Sequence, residues 1–227
     1  MSLHIIKHTN DLNLISPLGF NKDYWFWKSK FENFNHTKVI NKFLKLEKDL
    51  ITKYPAAYDG NINLPNSVTA RYTFYNLFSL KNTGKEIDLI KNFIKLNIKQ
   101  FLTRMNILDL SDLWIISWFN VLRKGEKITK HSHYPLGRAE ESFISGHFCV
   151  NALNTNTYYL DVGKTNEFPV KNEIGQLSLF PSYLVHWSDT HPSNEPRITI
   201  AFDVYFKKRF IRNNDFIKRK IVIPLIV

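Results

Sequence analysis

Past Met105 the hydrophobic period of this chain changes from 3.6 residues to 2, and that change limits the fold more than any other feature. Short alternating runs follow at Leu113–Leu122, Phe143–Ala152, Tyr158–Asp161, Gln176–Phe180 and Arg197–Phe206, with turns around Gly125, Gly163 and Gly175. Each such strand buries one face and needs a second layer to cover it. Strands that follow one another without intervening helices cannot build a doubly wound α/β sheet, whose parallel strands require crossovers. The pattern predicts a mainly β (α+β) fold, a jelly-roll or sandwich core flanked by N-terminal helices.

The first third reads as helical and irregular. From Thr37 to Tyr54, Val39, Ile40, Phe43, Leu44, Leu50 and Ile51 recur at helical spacing, and Pro55 ends the run. Residues 56–69 carry Gly60, Pro65 and Asn-rich turns and read as a loop. The aromatic alternation of A-R-Y-T-F-Y-N-L-F at 70–78 then predicts a strand. A second helix fits Lys85 to Met105, with Ile87, Ile90, Phe93, Ile94, Ile98 and Phe101 on one side. With no repeats and no low-complexity linker, one domain over 1–227 is expected, comprising a support region at 1–110, a barrel core at 111–206 and a basic tail at 207–227. The tail ends I-V-I-P-L-I-V, an edge strand or a homodimer contact.

Within the β region, His131 and His133 in K-H-S-H-Y stand at i and i+2, so on a strand both imidazoles point to one face. His186, in F-P-S-Y-L-V-H-W, can join them only through a fold that closes on itself. Arg197, in E-P-R-I-T-I, offers a planar fork for a carboxylate beside a metal. Imidazole suits iron, zinc and copper. A lone strand histidine is usually a hydrogen-bonded core residue. Three of them followed by an arginine make a metal-plus-anion site the better reading.

The remaining composition excludes some classes. Cys149 is the only cysteine, so no disulfide forms within the chain. The N-terminus lacks the apolar run of a signal peptide, and no segment approaches the roughly 20 apolar residues of a membrane span. A soluble, cytoplasmic protein with no membrane partner is expected. The net charge of +11 raises nucleic acid as a partner. Lysine outnumbers arginine, however, and is scattered among Asn and Ile, whereas bidentate readout of phosphate or guanine favours arginine. The densest basic stretch, from Lys207 to Lys220, reads first as a solvated surface, with nucleic acid the lesser expectation.

Five sequence words fall in a telling order: S-W-F-N-V at 117–121, K-H-S-H-Y-P at 130–135, I-S-G-H-F-C-V at 144–150, G-Q-L-S-L-F-P-S at 175–182 and R-I-T-I-A-F-D at 197–203. Over about Leu113 to Tyr205 the chain resembles the iron(II) and 2-oxoglutarate-dependent oxygenases with a double-stranded β-helix core. More narrowly it resembles the group common in phages and aquatic bacteria, to which N-S-V-T-A-R-Y-T-F-Y-N-L-F at 66–78 is also similar. The resemblance implies a jelly-roll pocket holding Fe(II), with His186 as the distal ligand and Arg197 on the distal carboxylate of 2-oxoglutarate. It implies Thr199 as a second contact to that carboxylate and O2 as the other co-substrate. Hydroxylation of a protein side chain, as in prolyl hydroxylases, or of a small metabolite would follow. Nucleic-acid demethylation is less favoured, because Asp203 stands where that group has a second arginine.

One departure matters. The usual motif is His-x-Asp or His-x-Glu, and here the second position is His133. Either His131, His133 and His186 form a three-histidine metal site, the preferred arrangement, or two coordinate and water or halide takes the third place. Glu140 and Glu141 stay open as ligands from a loop. A neutral ligand in place of a carboxylate leaves the site one unit more positive. His147 shares a face with Cys149 that the resemblance turns inward, making it a 2-oxoglutarate hydrogen-bond donor or a packed core histidine. Asn120, on the face of Trp118, is a candidate contact to the first carboxylate. Asp203 lines the pocket or ends a polar network, and His191 is expected exposed or facing substrate. Cys149 is not expected to be a nucleophile, since nothing marks a cationic neighbourhood. Two other classes stay in view: a cupin-like three-histidine metalloenzyme without 2-oxoglutarate, and a non-catalytic jelly-roll binding module.

Overall fold

The structure, a computed structural model, describes residues 1–7, 23–32, 34–57, 64–107, 109–133, 142–160, 166–206 and 221–225. Its core is two antiparallel sheets, as the change of period requires. The strands are β1 (Ser2–Lys7), β2 (Asp23–Lys30), β3 (Leu113–Leu122), β4 (Ile144–Asn151), β5 (Asn156–Leu160), β6 (Glu167–Lys171), β7 (Gln176–Pro181), β8 (His186–Ser188), β9 (Arg197–Phe206) and β10 (Ile223–Pro224). The larger sheet runs β1-β2-β7-β4-β9-β3-β10 and the smaller β6-β5-β8. Two helices, α1 (His36–Lys53) and α2 (Lys85–Arg104), cover one face of the larger sheet.

Both helices form where the sequence places them. Asn35 caps α1 by accepting the Lys38 N–H, and Tyr54 turns extended ahead of Pro55. Glu86 and Asp88 in the first turn of α2 and Arg104 in its last suit the helix dipole. The buried residues Val39, Phe43 and Leu50 of α1, with Ile87, Ile90, Ile94, Ile98 and Phe101 of α2, join one core with the sheet. Burying each large side chain of this kind contributes about 1.5–3 kcal/mol.

The first third, expected to be helical and irregular, also contains strand. The run Trp25-Phe26-Trp27 lies on β2, where its aromatic character favours strand. Trp25 and Trp27 pack on Phe101 with ring centroids 4.2 and 6.0 Å apart, and the Trp27 indole donates to Asn97 Oδ1. The predicted strand at 70–78 is instead two 3-10 turns, Thr69–Arg71 and Leu77–Ser79. Local polar bonds win over aromatic alternation there. The buried Arg71 guanidinium donates to the carbonyls of Tyr54, Pro65 and Ser67. Asn76 donates to the Ile115 and Ile221 carbonyls and accepts from Ser117 Oγ and the Phe78 N–H. The terminal I-V-I-P segment supplies β10, an edge strand beside β3. The basic stretch 207–220 and Gly163 lie outside the described residues.

β9 is the spine of the molecule. Ile198, Ile200, Phe202 and Val204 face the helices, while Arg197, Thr199, Ala201, Asp203 and Tyr205 face a cavity between the sheets. Register then sets the neighbours across this face: Thr199 lies beside Asn120 and Cys149, Ala201 beside Trp118 and His147, and Asp203 beside Ser145. Gly146 lets the Phe202 ring lie across β4. A Cβ there would sit 2.4 Å from the ring and 2.8 Å from the Ser178 carbonyl. Gly146→Ala is expected to destabilise the fold by about 1–3 kcal/mol, read as a lower urea midpoint at unchanged slope.

Candidate metal and co-substrate site

The cavity beside β9 holds about 440 Å³ and is lined by residues of both sheets, among them His131, His133, His147, His186, Arg197 and Thr199. The sequence segments that carry the three candidate ligands meet through backbone pairing. His131 and His186 exchange both backbone hydrogen bonds, at 3.1 and 2.9 Å, and the His133 N–H donates to the Ser182 carbonyl. His131 and His133 therefore share a face, as their i, i+2 spacing requires, and β8 brings His186 beside them.

The hydrogen bonds of the three rings determine what they present. His131 Nδ1 donates to the Thr129 carbonyl at 2.8 Å and His186 Nδ1 to the Leu184 carbonyl at 2.9 Å. His133 Nδ1 donates to the Asp203 carboxylate, 2.7 Å from both oxygens. With each Nδ1 proton committed, each Nε2 is left with a bare lone pair. One nitrogen from each ring lies within 4.8 Å of the others, and the Nε2 atoms of His131 and His133 are 3.1 Å apart. Two imidazoles bound cis at about 2.1 Å from a metal are about 3 Å apart. Two facing lone pairs at that distance repel unless a cation sits between them, so the donor set fits a metal ion. Burial pushes His131 down to about 4, with His133 adding to the effect, and holds His186 well below the ordinary imidazole range. Both are neutral at pH 7, as metal ligands must be. Glu140 and Glu141, the carboxylates considered as alternative ligands, lie outside the described residues.

A cationic end lies on the same cavity. Arg197 is 3% exposed, and its Nε donates to Thr155 Oγ1 at 3.1 Å. Its Nη1 is buried with no hydrogen-bond partner, and no acidic side chain among the described residues pairs with it. Among the other buried polar atoms without a partner are His147 Nε2, Asn120 Oδ1 and Tyr159 Oη. Asn120 Nδ2 donates to Thr199 Oγ1 at 3.2 Å. Burial and the Arg197 charge drive His147 down to about 3, so its imidazole is neutral and polar rather than charged. Unpaired buried polar groups are costly, and a cluster of them around a guanidinium fits an anionic ligand with additional oxygen atoms.

All seven residues selected from the sequence, His131, His133, His186, Arg197, Thr199, Asn120 and His147, line this one cavity. His191 does not. It is fully buried, its Nε2 is 2.5 Å from the Glu195 carbonyl, and its backbone pairs with Gly125 and Glu126. It pins the loop before Arg197, and its expected exposure is corrected. The Cys149 thiol is pushed up to about 11 by burial, which agrees with its exclusion as a nucleophile. Sequence reasoning missed Thr155, Asn172 and the role of Asp203. Asn172 links Thr155 to Thr157 and His147 through side-chain hydrogen bonds. An aromatic rim of Tyr72, Trp118 and Trp187 borders the cavity, with Trp118 stacked on His133 at 5.7 Å.

No family model matches the chain, and no curated protein matches it in sequence. Its architecture is similar to that of a prolyl-4-hydroxylase from Pseudomonas putida, at 12% identity and a TM-score of 0.50, covering 79% of this chain and 92% of that one. It is also similar to a prolyl hydroxylase from Trichoplax adhaerens, solved with a hypoxia inducible factor oxygen degradation domain peptide fragment. That match has 12% identity and a TM-score of 0.53, covering 81% of this chain and 84% of that one. The fold is that of the prolyl hydroxylases. In this jelly-roll fold the three histidines line the cavity, and Arg197 lines it from the start of β9. Among the described residues, no helix is long and apolar enough to cross a membrane.

Proposed function

We propose that this protein is an iron(II)- and 2-oxoglutarate-dependent oxygenase. The observation that carries the reading is one cavity with three bare imidazole nitrogens and an unpaired buried guanidinium. A metal ion held by His131, His133 and His186, together with a dianionic keto acid whose distal carboxylate pairs with Arg197, would satisfy both. When bound, iron(II) with 2-oxoglutarate and O2 supplies oxidative decarboxylation coupled to hydroxylation of a substrate C–H bond.

The chain's own contributions are binding and exclusion. Arg197 holds the distal carboxylate of 2-oxoglutarate with charge-assisted hydrogen bonds, oriented by its Nε bond to Thr155. Thr199 donates its hydroxyl proton to the same carboxylate, because its oxygen already accepts from Asn120. Asn120 and His147 contribute the remaining polar contacts, and the covered face of β9 keeps bulk water from the reacting end. The substrate is a peptidyl or small-molecule C–H donor entering over Tyr72, Trp118 and Trp187. The fold shared with prolyl hydroxylases supports a peptide, and the aromatic rim suits an apolar ring such as that of proline.

Anaerobic titration of the iron(II) protein with 2-oxoglutarate tests the reading. A metal-to-ligand charge-transfer band in the visible range is expected, saturating at one equivalent. Stoichiometric iron without such a band would move the protein to the cupin-like class, and no stoichiometric metal at all would make it a binding module.

A further inference from the structure

We propose that Asp203 is the positioning residue of the metal site, orienting His133 and returning beside it the negative charge that the three-histidine ligand set lacks. The proposal rests on the reading of His131, His133 and His186 as metal ligands. Asp203 is 5% exposed and buried on the cavity face of β9. Both carboxylate oxygens lie 2.7 Å from His133 Nδ1, and Ser145 Oγ donates to Oδ1 at 2.6 Å. Ser145 Oγ, its one proton given to Asp203, accepts from the Ser182 hydroxyl at 3.0 Å, and the Ser182 carbonyl accepts the His133 N–H. Asp203, Ser145, Ser182 and His133 thus form a closed loop of contacts that fixes the ring's plane and its tautomer.

This arrangement differs from the other two histidines, whose Nδ1 atoms donate to backbone carbonyls. A neutral carbonyl orients a ring. A carboxylate orients it and also makes the opposite nitrogen a stronger donor. A two-histidine, one-carboxylate set places one negative charge on the metal. Here that charge stands one imidazole away, so the extra positive charge expected from replacing the carboxylate by His133 is largely offset. His133 and Asp203 are 70 residues apart, and the pairing of β9 with β3 at Ile116 and with β4 at Ser145 aims the carboxylate at the ring.

The test uses the full-length protein and cobalt(II) alone, followed by its visible absorbance. Asp203→Asn keeps the size and removes the charge. It is expected to weaken cobalt(II) about 10–100-fold, while the metal-free protein keeps its melting temperature within a few degrees. In the cobalt protein, one of the three solvent-exchangeable imidazole N–H resonances should move in Asp203→Asn and the other two stay. Wild-type affinity in Asp203→Asn, or a weakened site in which the three resonances all stay or all move, overturns the proposal while leaving the oxygenase reading in place. Failure of the wild-type protein to bind cobalt(II) overturns both.

Discussion

Arg197→Met is expected to weaken 2-oxoglutarate binding by about 100-fold or more while leaving metal affinity within a few-fold of wild type. The argument is one of compensation. Arg197 is buried at 3% exposure, one nitrogen lacks any partner, and burial lowers its pKa from the ordinary arginine value. A guanidinium in that state favours an incoming dianion strongly, because pairing repays a desolvation cost already incurred in folding. Methionine retains a flexible stem and removes the charge and all five donors. The same substitution should leave the melting temperature of the ligand-free protein unchanged or raise it, since an uncompensated buried cation is lost. Isothermal titration with 2-oxoglutarate on the metal-loaded protein, beside thermal unfolding of the unloaded protein, measures both. Retained affinity would remove Arg197 from the co-substrate site. A large loss of stability would show that it serves the fold.

His186→Ala is expected to abolish stoichiometric metal binding and, with it, oxygen-dependent consumption of 2-oxoglutarate. His186 is the most buried of the three histidines, and its ring is pinned by the Leu184 carbonyl after the turn that closes on Pro181. Its ring centroid is 4.3 Å from that of His131 and 5.1 Å from that of His133. Its loss removes the only ligand that comes from β8 and leaves a cavity that a side chain of His131 or His133 cannot fill. Metal analysis after dialysis against iron(II) or cobalt(II) gives the measure, with His131→Ala and His133→Ala as companions. Comparable loss in all three variants supports a three-histidine set. Full retention in His133→Ala alone would reduce it to two histidines.

Several elements were legible in the sequence because they depend on local pattern. Leu113–Leu122, a nearly continuous apolar run, and Arg197–Phe206, which alternates, have predicted bounds that coincide with β3 and β9. The α1 and α2 helices are marked by apolar spacing and by Pro55, which acts within a residue or two. Other elements were not legible. The segment 70–78 alternates like a strand, yet Arg71 and Asn76 bind carbonyls of distant segments, and those partners are invisible in a local window. The three-residue β8 is too short to carry a period. His191 reads as exposed because its neighbours are Pro, Ser, Asn and Glu, and only the turn at Gly125 and Glu126 buries it.

The candidate site divides along the same line. The sequence alone determined the donor chemistry: three imidazoles, a guanidinium and the face each occupies on its own strand. Those properties follow from residue type and from the two-residue repeat of a strand, which operate over a few residues. The tertiary structure decided the partners of those donors. It directed each Nδ1 to an acceptor, left Arg197 without a carboxylate partner among the described residues, and set Asp203 behind His133 where the sequence placed no metal ligand. The physical reason is register. A shift of one residue between β9 and β4 would turn Asp203 to the opposite face, and the hydrophobic patterns of whole strands, packed against the helices, hold that register in place.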